Sequence, residues 1–104
     1  MSFEVLFSPD AEDDLTRLFD FLLERAETLN DLALAEAAID AIRSAAAHQL
    51  QRNPYSFRKA GRSPTRRELV IALGSTGYVA LYEIATPAMV VVLAVRHQRE
   101  EDYH

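Results

Sequence analysis

Apolar and polar residues alternate over Phe3–Phe7, with Phe3, Val5 and Phe7 on one side. That is the period of a short strand. The period then lengthens. Apolar positions fall at Ala11, Leu15, Leu18, Phe19, Leu22 and Ala26, the spacing of one buried helix face. Ser8 suits the N-cap and Pro9 the first helical position. Asp10, Glu12, Asp13 and Asp14 place negative charge at the positive end of the helix dipole. The spacing predicts a helix to about Ala26 or Glu27, a break at Thr28–Asp31, and a second helix capped by Asp31. Its stripe is Ala35, Ala38, Ile39, Ile42, Ala45, Ala46 and Leu50, and Asn53-Pro54 should end it. So short a linker makes the two helices an antiparallel hairpin.

A loop over Tyr55–Thr65 follows, with Gly61 and Pro64 as breakers. Three strands then read as Glu68–Leu73, Tyr78–Ile84 and Met89–Val95. The short turns Gly74–Gly77 and Thr86–Ala88 join them into an antiparallel meander. The order is β-α-α-β-β-β. The expected fold is α+β, one domain over residues 1–104, with the helical hairpin on one face of a small, mainly antiparallel sheet.

Composition narrows the chemistry. The chain lacks cysteine, which excludes disulfides, thiolate metal sites and cysteine nucleophiles. Met1–Phe7 is too short for a leader and carries Glu4, and the longest apolar run is far below the ~20 residues of a membrane helix. The expectation is a soluble, cytoplasmic protein. The net charge of −5 is unevenly spread: residues 1–40 hold eleven acids and two bases, residues 41–104 five acids and nine bases. Any anion-facing surface is therefore local.

Arg52, Arg58, Lys59, Arg62, Arg66 and Arg67 cluster with Tyr55 and Phe57. Such a set can grip phosphates and stack on bases. It is equally the composition of a solvated loop, or of bases paired with the acidic first helix. Arg66 and Arg67 enter the first meander strand, whereas Arg96 and His97 leave the last, so the two pairs are expected at opposite ends of the sheet. His48 suits a helix C-terminus. His97 and His104 are imidazoles, candidates for acid or base roles. With Glu100 and Glu101 they form no diagnostic metal spacing, and neither metal nor cofactor is expected. Gly74-Ser75-Thr76-Gly77 precedes no helix and is a hairpin turn, not a phosphate loop.

Three segments in this order, FSPDAEDDL at 7–15, RELVIALGSTGYVALYEI at 67–84 and VVLAVRHQREEDY at 91–103, resemble the ParE/RelE superfamily of type II toxin–antitoxin toxins, over nearly the whole chain. The resemblance implies one of two activities. RelE-like members are ribosome-dependent mRNA endoribonucleases. They carry lysines in the first meander strand, an arginine after the Gly-Tyr of the next, and basic residues with a tyrosine after the last. ParE-like members inhibit DNA gyrase by binding. Here Val70 and Ala72 stand in the first strand and Val79 follows Gly77-Tyr78, while Arg96, Arg99 and Tyr103 are kept. Apolar side chains cannot stabilise a phosphorane, so the resemblance implies the ParE-like branch, associated with plasmid stabilisation, and a binding inhibitor of gyrase in place of an enzyme. The ribonuclease is the alternative, as is a decayed, non-toxic antitoxin-binding domain. The implied target surface is Arg66, Arg67, Arg96, His97, Arg99 and Tyr103; the same residues would be catalytic in a ribonuclease. A ParD-like antitoxin is the implied partner, in a hetero-oligomer, with Phe21, Leu23, Ala38, Ile42 and Tyr82 as candidate contacts. Ribosome and mRNA are partners only under the alternative. The acidic first forty residues would attract a basic segment of a partner.

Overall fold

The computed structural model describes residues 2–100. Strand β1 (Glu4–Phe7) leads into helix α1 (Pro9–Glu24), then α2 (Leu29–Arg52), a 3-10 turn at Pro54–Ser56, and strands β2 (Arg58–Lys59), β3 (Arg66–Leu73), β4 (Thr76–Thr86) and β5 (Met89–His97). The predicted elements are all present, and β2 is added within the basic loop. The sheet order is β1-β5-β4-β3-β2, with β1 parallel to β5 and every other pair antiparallel.

Local chemistry sets the helix boundaries. The Ser8 hydroxyl accepts from Ala11 N–H at 3.1 Å, and Pro9 opens α1. The helix stops at Glu24, short of the expected Ala26. Arg25 N–H turns to Leu22 O and Ala26 N–H to Leu23 O, a tightened last turn. The cap of α2 is Thr28, not Asp31. Thr28 Oγ1 accepts from Asp31 N–H while Asp31 Oδ2 accepts from Thr28 and Glu27 N–H, a reciprocal capping box. These N–H groups, that of Glu27 first, hold the Asp31 carboxyl below its ordinary pKa.

Both helices lie on one face of the sheet. Ala11, Leu15 and Leu18 of α1, and Ile42, Ala46 and Leu50 of α2, enter a core with Leu69, Ile71, Tyr78, Ala80, Tyr82, Val90, Val92 and Val95. The small Ala35 and Ala46 let α2 approach closely. It runs from Leu73, beside which Ala35 and Ala38 lie, to Gln51, whose carbonyl accepts from Phe3 N–H. Arg43 clamps Glu12 across the hairpin with bonds of 2.6 and 2.8 Å, and this pairing lowers the Glu12 pKa. The pair is half exposed and contributes little to stability.

Register decides which side chains share a face. Two bulges interrupt the β4–β5 ladder, with Ala85 extra on one strand and Leu93 on the other. Beyond both, Val79 opposes Arg96 and Tyr78 opposes His97. Side chains directly opposite share a face and neighbours alternate. His97 therefore lies with Tyr78 on the helix-covered side. Arg96 lies with Val79 and Val70 on the open side.

Strand β5 outruns β1, and α1 completes its edge. Ser8 Oγ donates to Leu93 O, Val95 N–H donates to Asp14 Oδ2 at 2.8 Å, and Arg17 reaches Val95 O. Asp14, only 5 % exposed, thus satisfies a backbone donor that has no strand opposite it.

Tyr82 is fully buried and its hydroxyl donates to Pro54 O, which ties the 3-10 turn to the sheet. Burial pushes its pKa up to about 12, opposed in part by Arg67. An unfolded tyrosine ionises near pH 10, so the unfolded chain sheds this proton first. The contribution of this group to stability is then constant below about pH 10 and is lost as pH rises from about 10 to 12, by at most about 1.4 kcal/mol per unit. Tyr82→Phe is expected to remove that share of the slope and to cost about 1–3 kcal/mol at neutral pH, because Pro54 O loses its donor. Urea denaturation across pH 7–12 measures both effects. An unchanged slope in the variant would exclude Tyr82 as its source.

Candidate functional site

The candidate residues separate into distinct places. Arg66 and Arg67 start β3, opposite Glu83 and Tyr82, whereas Arg96 and His97 lie opposite Val79 and Tyr78. Four residues along β4 put the two groups about 13 Å apart along the sheet, so the expected separation holds. Arg66 pairs with Glu83 at 3.7 Å. Arg67 donates to Phe57 O at 2.6 Å and faces the Tyr55 ring. Arg58 pairs with Glu68 at 3.0 Å. Arg58 and Arg66 thus pair with acids of the sheet, and among the described residues no base of this segment forms an ion pair with the acidic first helix.

Arg96 and His97 are adjacent in sequence but stand on opposite faces of the sheet. The Arg96 guanidinium turns along its own chain and donates to the carbonyls of His97, Gln98 and Glu100, the last at 2.6 Å. Glu100 is also reached from the helix side by Arg17 at 2.9 Å, and it accepts from His97 N–H at 2.8 Å. Arg96 therefore fastens the segment after β5. Tyr103 and His104 lie outside the described residues.

His97 Nδ1 accepts from Arg99 N–H at 3.1 Å, and its Nε2 bonds Thr76 Oγ1 at 2.5 Å. An acceptor at Nδ1 assigns the proton to Nε2, which makes Thr76 the acceptor. The ring also meets Tyr78 edge-on, with centroids 5.3 Å apart. Around it lies a cavity of about 440 Å3, lined chiefly by Arg17, Phe21, Arg25, Tyr78, His97 and Arg99. A shallower groove of about 280 Å3 shares Arg25 and Tyr78, and adds Leu22, Leu34, Ala38 and Leu73. Burial raises the Tyr78 pKa, so its hydroxyl stays protonated.

Of the candidate antitoxin contacts, Phe21 is 46 % exposed, and Leu23 and Ala38 are half-buried. Ile42 and Tyr82 are corrected: both are fully enclosed in the core, where no partner reaches them while the chain is folded. Sequence reasoning did not connect Arg17, Arg25 and Tyr78 with His97. They come from three separate elements, and only the β4–β5 register and the seating of α1 unite them. Among the described residues no helix is long and apolar enough to cross a membrane.

Comparison with known proteins agrees with this architecture. A solved structure described as the chromosomal ParDE TA system from P. aeruginosa superimposes with a TM-score of 0.70 over 92 % of this chain and 96 % of that one, at 16 % identity, so the fold is shared. Toxin RelE3 of Caulobacter vibrioides is 38 % identical over 96 residues, 92 % of this chain and 95 % of the relative. The family described as the ParE toxin of the type II toxin–antitoxin system parDE matches residues 5–102. With the sheet, the helical hairpin and nearly the whole sequence in accord, the chain belongs to the ParE toxin family of type II toxin–antitoxin systems.

Proposed function

We propose that this toxin inhibits DNA gyrase by binding, and that a ParD-like antitoxin neutralises it by covering apolar residues that the fold leaves accessible, the exposed Phe21 and the half-buried Leu23 and Ala38 among them. The observation that carries this reading is the division of Arg96 from His97 by the sheet. RNA cleavage by 2′-OH attack needs a proton acceptor and cations converging on one phosphate. On the open face Val70, Val79 and Arg96 form one row, and Arg96 is engaged by backbone carbonyls. His97 faces the other way, with both ring nitrogens hydrogen-bonded. The target surface is then Arg96 and Arg99 at one end of the sheet, with Arg66 and Arg67 forming a second contact at the other; Tyr103, which we assign to the same surface, lies outside the described residues.

The action is placed in the cytoplasm, where gyrase and the antitoxin are both available. The Caulobacter relative is named Toxin RelE3, so the deciding experiment carries both targets. The purified toxin is added to gyrase with relaxed plasmid, and separately to ribosomes programmed with mRNA. The expected result is loss of supercoiling, restored by antitoxin, with the mRNA intact. Cleaved mRNA with unimpaired supercoiling overturns the reading. Inactivity in both assays, with normal growth on induction, assigns a decayed toxin.

A further inference from the structure

The cavity beside His97 has a charge character unlike that of its surroundings. Three arginines and a single carboxylate, Glu100, line it in a chain of net charge −5. Arg17 is neutralised by Glu100 and Asp14. Arg25 and Arg99 make no ion pair among the described residues. Arg25 stacks over the Phe21 ring at 4.0 Å, and Arg99 engages His97 through its backbone alone. Tyr78, 96 % buried, lines the same cavity, and its hydroxyl makes no hydrogen bond among the described residues. The hydroxyl opens on the cavity and offers a donor to an incoming anion. Two unpaired cations, one phenol and the Phe21 face thus converge on a space of about 440 Å3.

The adjoining groove is apolar and meets this cavity at Arg25 and Tyr78. Leu34, 59 % exposed, stands on its rim. A ligand filling both presents an apolar side chain next to a negative charge. A nucleic-acid strand fits poorly. The next concavity along α1 shares Arg17 and Phe21 but is lined by Asp13, Asp20 and Glu24, which repel the following phosphates. A single carboxylate meets only Glu100, which Arg17 already pairs, and Asp31, which the Glu27 and Thr28 N–H groups hold.

We propose that this cavity seats an Asp or Glu carboxylate of the antitoxin, on Arg25, Arg99 and Tyr78, while an apolar residue of the same segment fills the groove at Leu34, Ala38 and Leu73. The proposal rests on the antitoxin reading above and refines its chemistry: the acidic first forty residues favour a basic partner segment, whereas this end requires an acidic one.

The test uses the full chain and the antitoxin encoded beside it, co-expressed, separated and remixed in a calorimeter. The double variant Arg25→Glu/Arg99→Glu is expected to weaken binding at least about tenfold, by less in high salt. Arg25→Lys/Arg99→Lys is expected to stay within about threefold of wild type. An Asp→Arg or Glu→Arg change at the antitoxin's docking residue should restore affinity to the double glutamate variant. Circular dichroism and the thermal midpoint confirm that each variant is folded. Wild-type binding with an unaffected glutamate variant overturns this proposal alone. Failure of the wild type to bind overturns it together with the antitoxin reading. Two further results also overturn it: glutamate substitutions that abolish binding to a single-stranded oligonucleotide but spare the antitoxin, and substitutions that convert a self-associated chain to a monomer. They assign the cavity to nucleic acid or to a second copy.

Discussion

Ile42→Ala is expected to lower the unfolding free energy by about 2–5 kcal/mol, the range for removing a large aliphatic side chain from a closed core. Ile42 is fully buried with Leu15, Leu50 and Tyr82. Its neighbours belong to both helices and the sheet, so the space cannot close without moving one element off another. For a chain of 104 residues each kcal/mol lowers the thermal midpoint by about 4–8 °C, so the variant should melt at least 8 °C below wild type. Phe21→Ala provides the contrast. With 46 % of Phe21 exposed, the substitution should barely move the midpoint. A stability change below 0.5 kcal/mol in Ile42→Ala, by urea titration, would contradict the closed core. Any loss of antitoxin binding in that variant is a folding effect, which separates Ile42 from true contacts.

Asp14→Ala comes next in size, at about 3 kcal/mol. The substitution removes a charge-assisted hydrogen bond and leaves Val95 N–H, in a residue 1 % exposed, without an acceptor. It also takes a carboxylate from Arg17, 4.0 Å away. Asp14→Asn keeps an oxygen at the same place and should cost about 1 kcal/mol. Chemical denaturation ranks the two, and hydrogen exchange at Val95 locates the effect, with faster exchange expected in the alanine variant. Equal losses in both would mean that charge, not an acceptor for the strand edge, is what Asp14 supplies.

Much of this architecture was legible because it rests on local rules. Alternation marked β1, the Ser8-Pro9 start marked α1, and Asn53-Pro54 marked the end of α2. Capping was harder: Thr28 and Asp31 are both good caps in isolation, and only the reciprocal bonds show which one leads. Strand β2 escaped notice because two residues, Arg58 and Lys59, carry no period. Burial of Ile42 follows from the stripe of α2, but Tyr82 could be placed only once the helices were seen to lie on its side of the sheet. The site was the least legible part. His97 stood out as a titratable group at a strand end. Its separation from Arg96 is a consequence of alternation, whereas its company of Arg17, Arg25 and Phe21 depends on where α1 settles, which no local pattern encodes.

The two bulges of the β4–β5 ladder have a bearing on how such a chain tolerates change. Ala85 and Leu93 are surplus residues on opposite strands, and each offsets the other. Between them the ladder runs one step out of phase, and outside them it returns to the alignment a bulge-free hairpin would have. Losing one alone would slide the distal strand by a single position and exchange the faces of Arg96 and His97. Losing both would leave those two residues where they are. In this hairpin, length is therefore heritable in pairs: a lone insertion or deletion inverts the working end of the protein, and a matched second one restores it.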